Sequence, residues 1–133
     1  MSENKPIRVK DVMTSDYQLV DGLIMVNEAL SLMKSSGARV LIVNKRHEND
    51  EYGIVLLSDI AREVLAVDRS PERVNIYEIM SKPVVSVDPE MDIRYCARLF
   101  YRLGFSYAPV TYCGELRGMV GYAEMLLDGL CDS

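Results

Sequence analysis

Val9-Lys10-Asp11-Val12-Met13-Thr14 returns later in the chain as Ile76-Tyr77-Glu78-Ile79-Met80-Ser81. The two stretches share a pattern: apolar, variable, acidic, apolar, Met, hydroxyl. Carried forward at the same offset, Val20-Asp21 falls on Val87-Asp88, Leu32 on Leu99, Gly37 on Gly104 and Val43 on Val110. After a loop two residues longer in the first copy, Gly53-Ile54-Val55 meets Gly118-Met119-Val120. Self-similarity at a fixed offset marks a repeated structural unit, so the 133 residues read as two copies of one motif.

Each copy predicts the same order of elements. An extended stretch comes first, Gln18-Leu19-Val20 and Pro83-Val84-Val85-Ser86-Val87. A helix follows: Val26, Ala29, Leu30 and Met33 in one copy, and Ile93, Cys96, Ala97 and Phe100 in the other, fall on one helical stripe that must face a core. Gly37 and Gly104 end these helices in the left-handed turn glycine favours. Next come two strands per copy, Arg39–Val43 with Tyr52–Leu57, and Tyr107–Thr111 with Leu116–Val120, the second pair joined by a tight turn at Cys113-Gly114. A closing helix runs from Ser58, read as its cap, through Val67, and from Tyr122 to about Leu130. The repeats span 7–67 and 76–131, with a polar linker at 68–75, and Ser70-Pro71 is read as the start of a short helix carrying on to Met80. The fold class is α/β (α+β): two βαββα repeats. One unit of about 60 residues is marginal alone, so the repeats are expected to pack sheet to sheet with pseudo-two-fold symmetry.

Bulk chemistry narrows the function. The net charge of −5 offers no basic face for nucleic acid. Cys96, Cys113 and Cys131 are odd in number and far apart, which suggests neither a disulfide framework nor a zinc site. The leading residues carry no apolar export signal, and no apolar run approaches the roughly 18 residues of a membrane span. A cytoplasmic protein without membrane attachment is the expectation. The mixed-charge run Asn44–Glu51 reads as a solvated, mobile loop irrelevant to folding. The only histidine, His47, lies in it, so no Ser-His or Cys-His pair stands on a fixed element. No Walker loop or G-x-G-x-x-G occurs, and the chain is read as a non-enzyme.

Three motifs, each present twice in order, make the chain resemble a tandem pair of cystathionine β-synthase (CBS) domains, a Bateman module. They are V-x-D-V-M-T at Val9–Thr14 and its echo at Ile76–Ser81; the helix-Gly-strand passage ending at Pro109-Val110 and Ile42-Val43; and the G-I-V-T-x-x-D turn at Gly53–Asp59 and Gly118–Glu124. The resemblance implies two symmetry-related clefts between the repeats, disc-like dimers, and binding of AMP, ADP, ATP or S-adenosylmethionine, with no cofactor required. It also implies that the acid ending the turn accepts from ribose hydroxyls, that the Thr touches ribose or phosphate, and that a basic residue before the P-V strand meets phosphate. Here the acids are Asp59 and Glu124, the Thr positions hold Leu56 and Gly121, and the basic positions hold Arg39 and Ser106. Asp59, Ser58, Leu56, Arg39, Val20, Glu124, Gly121 and Pro109 are thus the expected ligand contacts, with Asp59 foremost because its copy keeps a cation.

Each of these residues also has a plain structural reading. An exposed acid in the first turn of a helix complements the helix dipole without any ligand. The methionines, among them Met13, Met33 and Met119, suit a core. Two functions follow: a regulatory module sensing an adenosine-containing ligand, or a ligand-free module for dimerisation or docking to a regulated protein. Met125, Leu126, Leu127 and Leu130 crowd the last helix and point to a homodimer.

Overall fold

The protein is described by a computed structural model that covers residues 5–81 and 85–131. Its α+β fold gathers into two compact units, Asp16–Val84 and Met1–Ser15 with Val85–Ser133.

In the unit Asp16–Val84, β1 (Gln18–Val20), β2 (Val40–Val43) and β3 (Gly53–Leu56) form one sheet with β2 at its centre. β1 runs parallel to β2 and β3 antiparallel. All four β2 residues are buried, which accounts for an unbroken apolar run where a half-exposed strand would alternate. The parallel pair needs a crossover, and α2 (Val26–Ser36) supplies it, burying Val26, Ala29 and Met33. Gly37 ends α2 at φ +79°, with no atom near where a side chain would stand, so backbone conformation alone selects glycine there.

β3 passes straight into α3 (Leu57–Ile60), which continues as a π-helical turn, Ala61–Leu65. The cap is Leu56, not Ser58. Ser58 is the second residue of α3, two positions past the cap, and is exposed. The helix expected from Ser70 to Met80 does not form. Asn75 is extended (φ −93°, ψ 161°), flanked by bonds to the start of α2: Val26 N–H donates to Val74 O at 2.8 Å and Ile76 N–H to Ile24 O at 3.0 Å. Only Ile76–Glu78 is helical, as one 3-10 turn. The loop Asn44–Glu51 is docked. The Arg46 guanidinium lies 3.8 Å from the Tyr77 ring centroid, Lys45 lies 5.3 Å from that of Tyr52, and Arg46 N–H donates to the Asp50 carboxylate at 2.9 Å. The Tyr77 ring in turn closes over Gly22, where any Cβ would collide with it.

The other unit repeats this plan. β4 (Tyr107–Tyr112) and β5 (Glu115–Gly121) pair antiparallel around Cys113-Gly114, at φ +53° and +78°, the tight primed turn that matches strand twist. Val87 adds a parallel bridge: it donates to Pro109 O at 2.9 Å and accepts from Thr111 N–H at 3.0 Å. Of the expected extended run, only Val87 is seen in a bridge, and Pro83 and Val84 lie outside the described residues. α4 (Ile93–Leu103) starts at Asp92, whose carboxylate accepts from Arg94 N–H at 2.8 Å, and ends at Gly104, φ +75°. It buries Ile93, Cys96 and Phe100. A π-helix, Glu124–Leu130, closes the unit and buries Met125.

The opening stretches are exchanged between the sequence copies. α1 (Val9–Val12) belongs with the second copy's strands: Val9 N–H donates to Met91 O, and Thr14 and Met119 exchange backbone bonds at 2.8 and 2.9 Å. Ser81 and Ile54 do the same in the unit Asp16–Val84, at 3.0 and 3.3 Å. Met13 Sδ then lies over Gly118, and Met80 Sδ over Gly53, within 3.1 and 2.6 Å of where a Cβ would stand. The Met of the opening and the Gly of the last strand are one contact, made twice.

Candidate functional site

The β3–α3 junction positions the first acid. Leu56 is extended (φ −104°, ψ 160°) and the helix begins at the next residue, so a side chain three positions on can reach back to the exposed end of the strand. Asp59 does so: its Oδ2 accepts from Leu56 N–H at 2.8 Å. Its Oδ1 accepts from Arg62 Nη2, also at 2.8 Å. Asp59 is buried, at 8% exposure, where the sequence suggested an exposed acid. Arg62 remains mostly exposed.

Arg39 stands just ahead of Val40, which pairs with Leu56, so it shares this end of the sheet with Asp59. It is exposed and lines a hollow of about 400 Å³ with Lys34, Leu30, Met33 and Leu57. A second, more apolar hollow of about 470 Å³ also touches Leu30 and Leu57 and continues along Ile60, Val64 and Leu65. Neither is lined by Asp59. Val20 pairs with Val43, and Val43 with Gly53, at the opposite end of the sheet. It is buried in the core and is not brought to Asp59.

The second acid stands after β5 in the matching place. Gly121 ends β5, and Tyr107 pairs with it across the hairpin. A Cβ on Gly121 would stand 2.7 Å from the Tyr107 ring and 2.9 Å from Glu124 Oε1. The Thr position of the motif is therefore Gly because a tyrosine ring and a carboxylate already occupy its space. Glu124 is half-buried, and its Oε1 is shielded from solvent with no hydrogen-bond partner among the described residues. Pro109 is buried two pairs in from Tyr107, and what it offers is the backbone carbonyl that serves Val87. Tyr122 packs edge-on to Phe100 at 5.4 Å between ring centroids. Ser106 is exposed.

Sequence reasoning placed both acids and missed their neighbours. Arg62 was findable, since a basic residue three after an acid on a helix faces it. Tyr107 was not, because cross-strand pairing depends on hairpin register. Chemically, each site presents a carboxylate acceptor beside a strand end. Among the described residues no three His, Cys, Asp or Glu side chains gather as a metal site, and no helix is long and apolar enough to cross a membrane.

Comparison with known proteins fits this architecture. The family description of the CBS domain matches residues 9–66 and 76–127. A hexameric CBS-CP12 protein from bloom-forming cyanobacteria superimposes with a TM-score of 0.88 at 37% identity, over 92% of this chain and 71% of that one. The CBS domain pair of protein MJ0100, solved with 5′-methylthioadenosine and S-adenosyl-L-methionine, gives 0.79 at 22% identity, over 96% and 100%. An uncharacterized 33.4 kDa protein in the ribosomal RNA operon of Thermofilum pendens is 27% identical over 130 residues, 90% of this chain and 43% of the relative, so the chain spans less than half of that protein. The chain belongs to the CBS domain family and carries the domain twice, as a tandem pair.

Proposed function

We propose that the chain is a regulatory module that senses an adenosine-containing ligand, AMP, ADP, ATP or S-adenosylmethionine, and does no catalysis of its own. The observation that carries this reading is the repeated strand-to-helix turn. In both copies it brings a carboxylate back against the end of a strand, at Leu56 and at Gly121. A carboxylate there accepts from a pair of vicinal hydroxyls, and hydrogen bonds to a charged acceptor are the strong ones. The adenosyl ligands of the MJ0100 pair support the same class.

The test is thermal unfolding with each of the four ligands. A ligand at a hundred times its Kd stabilises the folded state by about 2.7 kcal/mol, a rise of several degrees. One ligand raising the midpoint in this way is the expected result; four flat responses would leave only the docking role.

Self-association is part of the same reading. Leu126, Leu127 and Leu130 are more than half exposed, as is Leu65 in the other unit, and exposed apolar patches mark interfaces. The hexameric state of the CBS-CP12 protein supports it. Light scattering should give at least twice the 15.0 kDa chain mass; a monomer at micromolar concentration contradicts it.

A further inference from the structure

We propose that the outward face of α4 is a docking site for an acidic helical segment of a partner protein. This goes beyond the ligand-sensing function proposed above and holds whether or not a nucleotide binds.

Arg94, Tyr95, Arg98, Tyr101 and Arg102 fall on one arc of α4, away from the stripe that buries Ile93, Cys96 and Phe100. All five are exposed, Tyr95 by 67% and Tyr101 by 87%. Arg98 lies 5.7 Å from the Tyr95 ring centroid. Among the described residues none of the three arginines makes an ion pair, and α4 contains no aspartate or glutamate. A basic face thus stands in a chain whose net charge is −5. The matched face of α2, at the offset of the repeat, is Asn27, Glu28, Ser31, Lys34 and Ser35, with one charge of each sign. The repeated fold does not require the arginine row, because the first copy folds without it.

Helix stability does not account for the row either. Arg94 stands in the first turn, where the helix dipole favours an acid over a cation. Arg94, Arg98 and Arg102 follow at four-residue spacing, and like charges so placed oppose the helix. Three cations that weaken their own helix point to a counter-charge outside it. Successive arginines stand about 6 Å apart along the axis, the spacing of carboxylates four residues apart on a second helix. Arginine and tyrosine are also the side chains enriched where proteins bind each other. A second copy meeting this face with its own α4 would set arginine against arginine. A nucleic acid would run on past a row about 12 Å long, onto a remainder more acidic than the chain as a whole. A short acidic segment fits within the row.

The experiment is NMR titration of the isotope-labelled full chain with a helical peptide of Glu-Ala-Ala-Leu repeats and, separately, with oligouridylate RNA. It is run on the unmodified chain, on Arg94→Glu, on Arg94→Glu with Arg98→Glu, and on Ser31→Glu in the matched α2 face. Thermal unfolding and light scattering are read on the same proteins without peptide. We expect the peptide to shift the amide signals of α4 and to bind at least about tenfold more weakly to the double variant. Binding to Ser31→Glu should be unchanged, and binding should weaken as salt is added. Arg94→Glu should raise the unfolding midpoint, because an acid in the first turn, four residues before Arg98, supports the helix. A midpoint lowered by Arg94→Glu shows that arginine to serve the fold and overturns the proposal. Tighter binding of the RNA than of the peptide at α4 overturns the choice of occupant. A fall in mass in the double variant shows the face to be a contact between copies and overturns it as well. A peptide that shifts no α4 signal, or that binds all four proteins alike, sinks it outright. None of these results bears on the thermal response to adenosine ligands, by which the proposed function is tested separately.

Discussion

Burial pushes the Cys96 thiol up to about 11, while Cys113 and Cys131 are exposed. The thiolate is the reactive form, so at pH 8 an aromatic disulfide reagent should label two thiols quickly and the third only after denaturation. Three equal rates would mean that α4 does not hold Cys96 in the core. Glu78 tests another residue-scale claim. Asn75 N–H and the Arg69 guanidinium, at 3.0 and 2.6 Å, hold its carboxyl below the ordinary glutamate range. A folded-state pKa below the unfolded one contributes stability that is present above the ordinary value and lost as pH falls through the lowered one. Glu78→Gln should therefore unfold more easily at neutral pH, and the gap should shrink as the solution is acidified; a gap constant with pH contradicts the pairing. Single residues were only partly legible in the sequence. Spacing placed Asp59 and Glu124, but the burial of Asp59 comes from its bonds to Leu56 and Arg62, which no spacing displays.

At the scale of elements, what was legible had a strong local cause. The stripes of α2 and α4, the glycines that end them and the Cys113-Gly114 turn each follow from periodicity or from a left-handed backbone position. What was misread had a non-local cause. Ser70-Pro71 carries a helix-start signal, yet the bonds Val26 N–H to Val74 O and Ile76 N–H to Ile24 O flank an extended Asn75. The loop Asn44–Glu51 reads as solvated, yet Arg46 stacks on Tyr77, a partner far away in sequence. Removing that stack by Arg46→Ala should cost about 0.5–1 kcal/mol, the usual worth of an exposed cation–π pair. Urea unfolding reads this, and an unshifted midpoint would return the loop to the solvated reading.

At the scale of the molecule, the opening stretches decide what folds with what. Each sheet is completed by the opening stretch of the other sequence copy, through Ser81 with Ile54 and Thr14 with Met119. A fragment spanning 16–84 should therefore keep cooperative thermal unfolding by circular dichroism, whereas a fragment cut at the sequence repeat, 7–67, should lose it. Equal behaviour of the two fragments would show that the exchanged openings add little. The same construction places one carboxylate at the end of each sheet, held by its own helix, and the function rests on those two positions. The most direct test is a crystal structure of the chain with the adenosine ligand that stabilises it most. The account predicts ribose hydroxyls within about 2.5–3.0 Å of a turn carboxylate, Asp59 or Glu124. A ligand lodged away from both turns, for example in the hollow along Leu30, Leu57 and Val64, would contradict it.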